Sequence, residues 1–133
     1  MQPEAKTAKI LVVDDEESIR KIVAMSLKNL PFPVEIMTAA NGSEALSLVE
    51  RDKPDMIILD IMMPEMDGFE VCKRLREDIT TAFIPIMMLT ARGETESRTK
   101  AFTVGTDDYV TKPFEVEDLR ARVVRLLRRT YGL

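Results

Sequence analysis

The chain has 133 residues, 45% hydrophobic and 32% charged, with a net charge of −4, one cysteine and no histidine. This predicts one domain over residues 1–133, with its core at about residues 8–130, and excludes histidine-dependent triads, zinc clusters and an internal disulfide. The acidic balance argues against direct nucleic-acid binding by the domain, and the lack of a long apolar run or signal-like start predicts no membrane association and a cytoplasmic location.

Short apolar runs alternate with longer amphipathic segments five times, which predicts an α/β fold with buried parallel strands. The first strand is predicted at residues 9–13, and the helix that follows it ends before Pro31 and Pro33. A second strand at residues 35–39 leads to Asn41, three residues before Glu44, a spacing typical of a helix cap. The most hydrophobic strand, at residues 56–59, is predicted to be central in the sheet.

The second half of the chain continues the alternation. A turn at residues 64–68 leads into a helix that runs through Glu77, with Asp67 as its cap. The fourth strand is predicted at residues 84–89, with Pro85 near its start. A polar helix at residues 94–104, a short strand from Asp107 and a closing helix at residues 116–129 complete the predicted order.

Polar side chains follow four of the predicted strands. Asp14 and Asp15 follow the first strand, Asp60 the third, Thr90 the fourth and Lys112 the fifth. Because ligands of an open parallel sheet bind outside the carboxyl ends of the strands, we expect these groups to converge on one rim. Three packed carboxylates repel one another unless a cation lies among them. Mg²⁺ fits best, since it prefers oxygen ligands and usually takes one or two carboxylates.

Each of these residues also has a simpler interpretation. Asp14 and Asp15 could favour the positive start of a helix, Asp60 and Thr90 could cap a turn or a helix, and Lys112 could be a solvated loop residue. Taken singly, each residue favours the simpler interpretation. Their combination at the ends of four strands favours a functional site.

Four motifs, LVVDDE, MIILDIMMPEMDG, IMMLTAR and DDYVTKPF, resemble in order and spacing the receiver domains of two-component response regulators, especially those of the winged-helix transcription-factor subfamily. The resemblance covers roughly residues 8–130. It implies a flavodoxin-like, doubly wound fold with a five-stranded parallel sheet in the order 2-1-3-4-5 and five helices. It also implies a switch phosphorylated by a sensor histidine kinase, with no enzymatic activity beyond self-phosphorylation from phosphodonors and autodephosphorylation.

The resemblance also suggests roles for residues at the rim. Asp60 resembles the phospho-acceptor and Asp15 the acid that touches Mg²⁺ directly, with Asp14 helping through water. The backbone carbonyl of Met62 is similar to the third protein ligand of the metal. The backbone N–H groups of Ile61 and Ala91 are expected to add hydrogen-bond donors for the phosphoryl group.

Three further residues resemble the parts that sense the phosphoryl group. Thr90 is similar to the switch hydroxyl, Lys112 to the phosphoryl-binding lysine and Tyr109 to the switch aromatic, while Lys112–Pro113 resembles the family's cis peptide. Phosphorylation is expected to draw Thr90 toward the new charge and to let Tyr109 turn inward.

The face built from the predicted fourth helix, fifth strand and fifth helix carries Arg98, Asp108, Asp118 and Arg122. These positions resemble the charged ladder of receivers that form symmetric dimers, which predicts a homodimer favoured by phosphorylation. The alternative is scattered surface charge of little energetic value.

Three other functions stay open at this point. Phosphohydrolases with an aspartate nucleophile also place it after a parallel strand and use Mg²⁺, although a second acid usually follows closely, whereas Ile61 and Met62 follow Asp60 here. A flavin-binding module would need a phosphate cradle that the loops after the first and third strands lack. The last alternative is an interaction domain that works without phosphorylation. Thr106, where the family often has alanine, is expected to crowd the start of the fifth strand.

Overall fold

The computed structural model describes residues 7–91 and 104–132 of the chain. Five strands form a single parallel sheet in the order β2-β1-β3-β4-β5. They are β1 (Ala8–Val13), β2 (Val34–Ala39), β3 (Met56–Asp60), β4 (Ile86–Ala91) and β5 (Asp108–Lys112). The predicted parallel sheet and its strand order are confirmed.

Four helices lie within the described residues: α1 (Glu17–Ser26), α2 (Gly42–Arg51), α3 (Gly68–Glu77) and the last helix (Val116–Tyr131). Five were predicted, and the predicted fourth, at residues 94–104, lies outside the described residues apart from Val104. None of the helices in the described ranges is long and apolar enough to cross a membrane.

The sheet separates two hydrophobic clusters. Alternate strand side chains such as Leu11, Ile57 and Met88 pack on the α2 and α3 side, while their neighbours Ile10 and Ile58 pack on the side of α1 and the last helix. All five residues of β3 are buried, as expected for the central strand of a sheet covered on both faces. Helices cover both faces of the sheet, which is the doubly wound arrangement.

Two helix starts follow the predicted capping pattern. The side chain of Asn41 accepts a hydrogen bond from the backbone N–H of Glu44 at 2.8 Å. The side chain of Asp67 accepts one from the N–H of Glu70 at 2.9 Å. Both predicted caps are confirmed, and each one satisfies an N–H group that has no partner inside its helix.

The end of α1 depends on a contact that the sequence pattern did not reveal. The helix stops at Ser26, and Asn29 adopts a left-handed conformation with φ 60°. The guanidinium group of Arg120, on the last helix, donates to the backbone carbonyls of Ser26, Lys28 and Asn29 at 2.8, 2.5 and 3.0 Å. Arg120 therefore satisfies carbonyls that the end of a helix leaves without partners.

β4 begins at Ile86, two residues later than predicted, because Pro85 has no N–H to donate and the N–H of Ile84 donates to the carbonyl of Thr81 at 3.2 Å. The guanidinium group of Arg76, at the end of α3, donates to the carbonyls of Ala82, Ile84 and Gly105 and pairs with Asp107 at 3.0 Å. Arg76 thus ties the approaches to β4 and β5 together.

Thr106, expected to crowd the start of β5, is accommodated there. It is buried, and its hydroxyl lies 3.0 Å from the carbonyl of Ile86 and 2.8 Å from that of Asp108. The hydroxyl therefore has a hydrogen-bond acceptor in each of the two neighbouring strands.

Candidate functional site

Three carboxylates come together at the carboxyl ends of β1 and β3. These strands are neighbours, with Val13 opposite Leu59, so Asp14, directly after β1, lies beside Asp60 at the end of β3. One oxygen from each of Asp14, Asp15 and Asp60 lies within 4.8 Å of the others. Asp14 and Asp60 are buried, whereas Asp15 is exposed. The structure thus brings the predicted acids to one rim, in an all-oxygen donor set suited to a hard divalent cation.

Backbone contacts fix the turn that carries the first two acids. The N–H of Asp14 donates to the carbonyl of Ala39 in β2 at 3.2 Å. One carboxylate oxygen of Asp14 accepts from the N–H of Glu16 at 2.9 Å, and the carbonyl of Asp14 accepts from the guanidinium of Arg20 at 2.7 Å. Within the described residues the carboxylate of Asp15 has no hydrogen-bond partner, so its position follows from the backbone of this turn.

Lys112 reaches the acids from the end of β5. Its ammonium nitrogen lies 2.8 Å from Oδ2 of Asp14 and 3.3 Å from Oδ1 of Asp60. Burial lowers the pKa of Lys112, but the hydrogen bonds and charges of Asp14 and Asp60 outweigh this effect and leave the pKa above its ordinary value. The ammonium group therefore remains charged and acts as a counter-ion. The predicted cis peptide at Lys112–Pro113 is confirmed.

Asp60, the acid at the end of β3, has a strongly perturbed carboxyl group. Burial and the nearby negative charge of Asp14 raise the pKa of Asp60 from 3.8 to about 6, against the opposing effects of Lys112 and of the Met62 N–H. A raised pKa means that the charged carboxylate is less stable here than in water. A cation close to Asp60 would remove much of this cost.

The loop after Asp60 differs in one respect from the prediction. The N–H of Ile61 donates to the carbonyl of Leu89 at 3.0 Å, so the expectation that it serves a phosphoryl group is wrong. The hydrogen bonds between β3 and β4 thus continue one residue past the end of β3, and the Ile61 N–H is used in them. The next N–H, that of Met62, instead donates to Oδ1 of Asp60 at 3.3 Å. The side chain of Met62 is 62% exposed.

Gly68, which the sequence pattern indicated only as the end of a turn, packs directly against the backbone of the site. Its N–H donates to the carbonyl of Ile61 at 2.9 Å. A β-carbon placed on Gly68 would lie 2.4 Å from the carbonyl oxygen of Asp60 and 2.9 Å from the α-carbon of Ile61. Only glycine lets the start of α3 pack this closely against the backbone of the acceptor candidate.

The remaining predicted switch residues lie on β4 and β5. Thr90 is buried one residue beyond Leu89, the partner of Asp60 in the register, and its hydroxyl is 3.4 Å from the carbonyl of Ala91. Tyr109 is half-buried and packs against the cluster on the α2 and α3 side of the sheet. Their roles in switching stay predictions.

Charged residues of the predicted dimer face are paired within one chain. Arg122 lies 2.8 Å from Asp108 and 3.0 Å from Asp118, and Arg125 lies 3.0 Å from Asp108. Arg98, the remaining member of the predicted ladder, lies outside the described residues. Three of the four predicted positions therefore share one face, with acidic and basic groups already matched.

Comparison with known proteins identifies the family. Residues 10–124 match the model of the response regulator receiver domain. The chain belongs to this family, and it is a receiver domain of two-component signal transduction, as the four sequence motifs predicted.

Among the similar proteins is RpaA, a DNA-binding dual master transcriptional regulator of Synechocystis, which is 45% identical over 122 residues, 92% of this chain and 50% of RpaA. PhoP, the alkaline phosphatase synthesis transcriptional regulatory protein of Bacillus subtilis, is 46% identical over 122 residues, 92% of this chain and 49% of PhoP. The chain thus spans about half the length of these relatives. That both are transcriptional regulators agrees with the predicted similarity to receivers of transcription factors.

A solved structure supports the same assignment. The receiver domain of Francisella response regulator 1452 superposes with a TM-score of 0.83 and 34% sequence identity, over 93% of this chain and 99% of that one. The chain therefore shares the flavodoxin-like receiver fold with this domain, and their sequences are similar as well.

Proposed function

We propose that a sensor histidine kinase phosphorylates this receiver domain on Asp60 in a reaction that requires Mg²⁺. The observation that carries the proposal is the juxtaposition of Asp14, Asp15 and Asp60 within 4.8 Å, with Lys112 beside two of them. A purely structural cluster would gain nothing from three repelling acids at one rim. A phosphorylation site needs each of these groups.

The donor set fits Mg²⁺. Asp15 and Asp60 would bind the ion directly, Asp14 through water, and the carbonyl of Met62 would be the third protein ligand. When bound, the ion would offset the negative charge that gathers between the carboxylate and an incoming phosphoryl group. Because Mg²⁺ has octahedral coordination and these protein groups would fill only part of it, an ion held here would keep waters that a phosphoryl oxygen can replace.

The acceptor chemistry then follows from the residues around Asp60. An oxygen of Asp60 attacks the phosphorus of the donor and forms an acyl phosphate, while the bond from phosphorus to the donor breaks and its electron pair leaves with the donor. The pKa of Asp60, about 6, leaves this group mostly ionised at pH 7, as a nucleophile must be. Lys112, 3.3 Å from Asp60, would turn from the carboxylates to the new phosphoryl oxygens.

The test is incubation with acetyl phosphate, followed by measurement of the intact mass. We expect about one phosphoryl group per chain with Mg²⁺ and none when the metal is chelated. Equal incorporation with and without a chelator would contradict the proposed metal requirement. No incorporation under either condition would contradict the acceptor role.

We further infer that Thr90 and Tyr109 carry the signal away from Asp60. Thr90 lies on the strand next to the acceptor strand, and Tyr109 lies on the strand one further out. Among the described residues, the buried Thr90 hydroxyl has only a long 3.4 Å contact to a neighbouring carbonyl. A phosphoryl group is a stronger acceptor and would draw this hydroxyl toward itself. The space it leaves would let the half-buried Tyr109 move inward and alter the surface of β5.

The surface that changes would serve a symmetric homodimer. Asp108 and Asp118 are already paired with Arg122 within one chain, so dimerisation through these residues exchanges internal ion pairs for equivalent pairs between chains. Such an exchange costs little, since no charge loses its partner. Phosphorylation would then have to offset the translational and rotational freedom that two chains lose on association.

A sedimentation experiment tests the dimer. We expect the phosphorylated wild type to sediment as a dimer at micromolar concentrations and Asp108→Asn to remain a monomer. Asp52→Asn, which breaks a half-buried ion pair with Lys9 at the opposite rim, serves as the matched control and should dimerise normally. A phosphorylated wild type that stays monomeric would rule out this part of the proposal.

Where a receiver forms part of a longer regulator, as in RpaA and PhoP, the proposed output is control of transcription. With a net charge of −4, the receiver itself is unsuited to contact DNA, so DNA binding would belong to another part of such a protein.

A further inference from the structure

Arg20 is a charged residue of α1 that the proposed chemistry does not use. Its guanidinium donates a hydrogen bond of 2.7 Å to the backbone carbonyl of Asp14. This carbonyl belongs to the peptide bond between Asp14 and Asp15, the two acids that end β1. A charged donor at this distance makes one of the stronger types of hydrogen bond.

Asp15 depends on that peptide for its orientation. Within the described ranges its carboxylate makes no hydrogen bond and is exposed, whereas Asp14 is buried and bonded through both carboxylate oxygens, to Glu16 and Lys112. An exposed, unpartnered side chain is held only by the backbone to which it is attached. The Asp14–Asp15 peptide therefore sets the position of the Asp15 β-carbon and so the region that its carboxylate can reach by rotation of the side chain.

We propose that Arg20 is a positioning residue that holds the Asp14–Asp15 peptide in a conformation from which the Asp15 carboxylate can reach Mg²⁺. The inference rests on the proposed metal site and adds a residue outside its ligand set. Groups that orient metal ligands without touching the metal typically change affinity by about 10–100-fold when they are removed.

Electrostatics alone predicts the opposite change in Mg²⁺ affinity when Arg20 is removed. The sign of that change therefore tests the proposal. Arg20 is a cation close to a cation site, so a purely electrostatic effect of its removal would tighten Mg²⁺ binding. A positioning effect would weaken it. The direction of the change therefore separates the two physical explanations.

The experiment measures the dissociation constant of Mg²⁺ by calorimetric titration without a phosphodonor. It also measures the Mg²⁺ concentration that gives half the maximal rate of phosphorylation by acetyl phosphate, which should change in parallel, together with the plateau rate. For Arg20→Ala we expect the half-maximal concentration to rise about tenfold or more, with the plateau within about threefold of wild type, since saturating metal restores the geometry. Lys21→Ala is the matched control: Lys21 also lies on α1 but pairs with Glu17 at 3.1 Å, so the control should behave as wild type.

Arg20→Gln provides a second variant if Arg20→Ala does not fold, because glutamine keeps an N–H donor without the charge. We expect Arg20→Gln to recover part of the affinity. An unchanged or lower half-maximal Mg²⁺ concentration in a folded Arg20 variant would overturn the role of Arg20 and leave the metal site intact. If the wild type itself showed no Mg²⁺ dependence, the proposed metal site would fail and the role of Arg20 with it.

Discussion

Asp60→Asn is expected to abolish phosphoryl incorporation from acetyl phosphate while making the metal-free protein more stable at neutral pH. The amide of asparagine cannot form an acyl phosphate, so incorporation should be lost entirely. The stability effect arises because Asp60 is a buried acid whose pKa is raised to about 6 by burial and by Asp14. Asparagine has nearly the same shape and removes this charge.

The sign of the stability effect follows from proton binding. The unfolded chain releases the proton of Asp60 near pH 3.8, whereas the native protein retains it until about pH 6. Stability from this group is therefore fully present below pH 3.8 and is lost as pH rises through the folded pKa. The shift, which already includes the opposing effect of Lys112, corresponds to about 3 kcal/mol at pH 7. Because an amide does not reproduce every contact of a protonated carboxyl group, we expect a gain of about 1–3 kcal/mol.

Urea unfolding of the metal-free protein at pH 4 and pH 7 measures this effect. Relative to the wild type, the variant should gain stability at pH 7 and little at pH 4. Glu50→Gln, which removes an exposed acid of α2, is the control and should differ from wild type by a few tenths of a kcal/mol. Equal stability of Asp60→Asn and wild type at pH 7 would show that the site does not destabilise the ionised carboxylate of Asp60.

Lys112→Met is expected to slow phosphorylation by a factor of about 100 or more and, at the same time, to tighten Mg²⁺ binding. The slower reaction follows from the loss of the cation that would receive the phosphoryl charge. The tighter binding follows because the ammonium group of Lys112 lies 2.8 and 3.3 Å from oxygens of Asp14 and Asp60 and competes with the metal for the same negative charge.

Calorimetric titration with Mg²⁺ and the rate of reaction with acetyl phosphate measure the two effects separately. Lys53→Met removes an exposed lysine before β3, at the rim opposite the acids, and should change neither quantity. Weaker Mg²⁺ binding in Lys112→Met would indicate that the lysine supports the metal site instead of competing with it. An unchanged rate would remove Lys112 from the proposed chemistry.

The sequence was sufficient to locate the acidic rim. Asp14, Asp60 and Lys112 each follow a predicted strand, and parallel strands bring their carboxyl ends to one edge, so a correct strand order implies that the residues meet. The caps at Asn41 and Asp67 were predictable for a similar reason, since a side chain and its N–H partner lie three residues apart.

Contacts between distant parts of the chain were not predictable in this way. Arg76 bonds to Gly105, 29 residues later, and Arg120 bonds to Ser26, 94 residues earlier. No local spacing connects such pairs, and an arginine on a helix surface resembles any solvated charge. The Ile61 N–H was misassigned for a related reason, because its partner Leu89 is known only once β3 and β4 are aligned.

For the predicted dimer face, the sequence pattern indicated which residues share a face but not how their charges pair. The sequence placed Asp108, Asp118 and Arg122 on one face, and the structure has them there. Whether these charges pair within a chain or between chains depends on side-chain distances, which are below 3.1 Å inside the single chain. A dimer through this face therefore requires the ion pairs of Arg122 with Asp108 and Asp118 to be exchanged for equivalent pairs between two chains.

The protonation of Asp60 with and without Mg²⁺ tests most directly the claim that these acids form a cation site around the phosphoryl acceptor. Carbon-13 NMR of the Asp60 carboxyl group, followed through a pH titration, reports the pKa itself. We expect a midpoint near pH 6 in the metal-free protein, as burial and Asp14 dictate, and a clear fall when Mg²⁺ is saturating. A midpoint that does not move when Mg²⁺ is added would contradict the account.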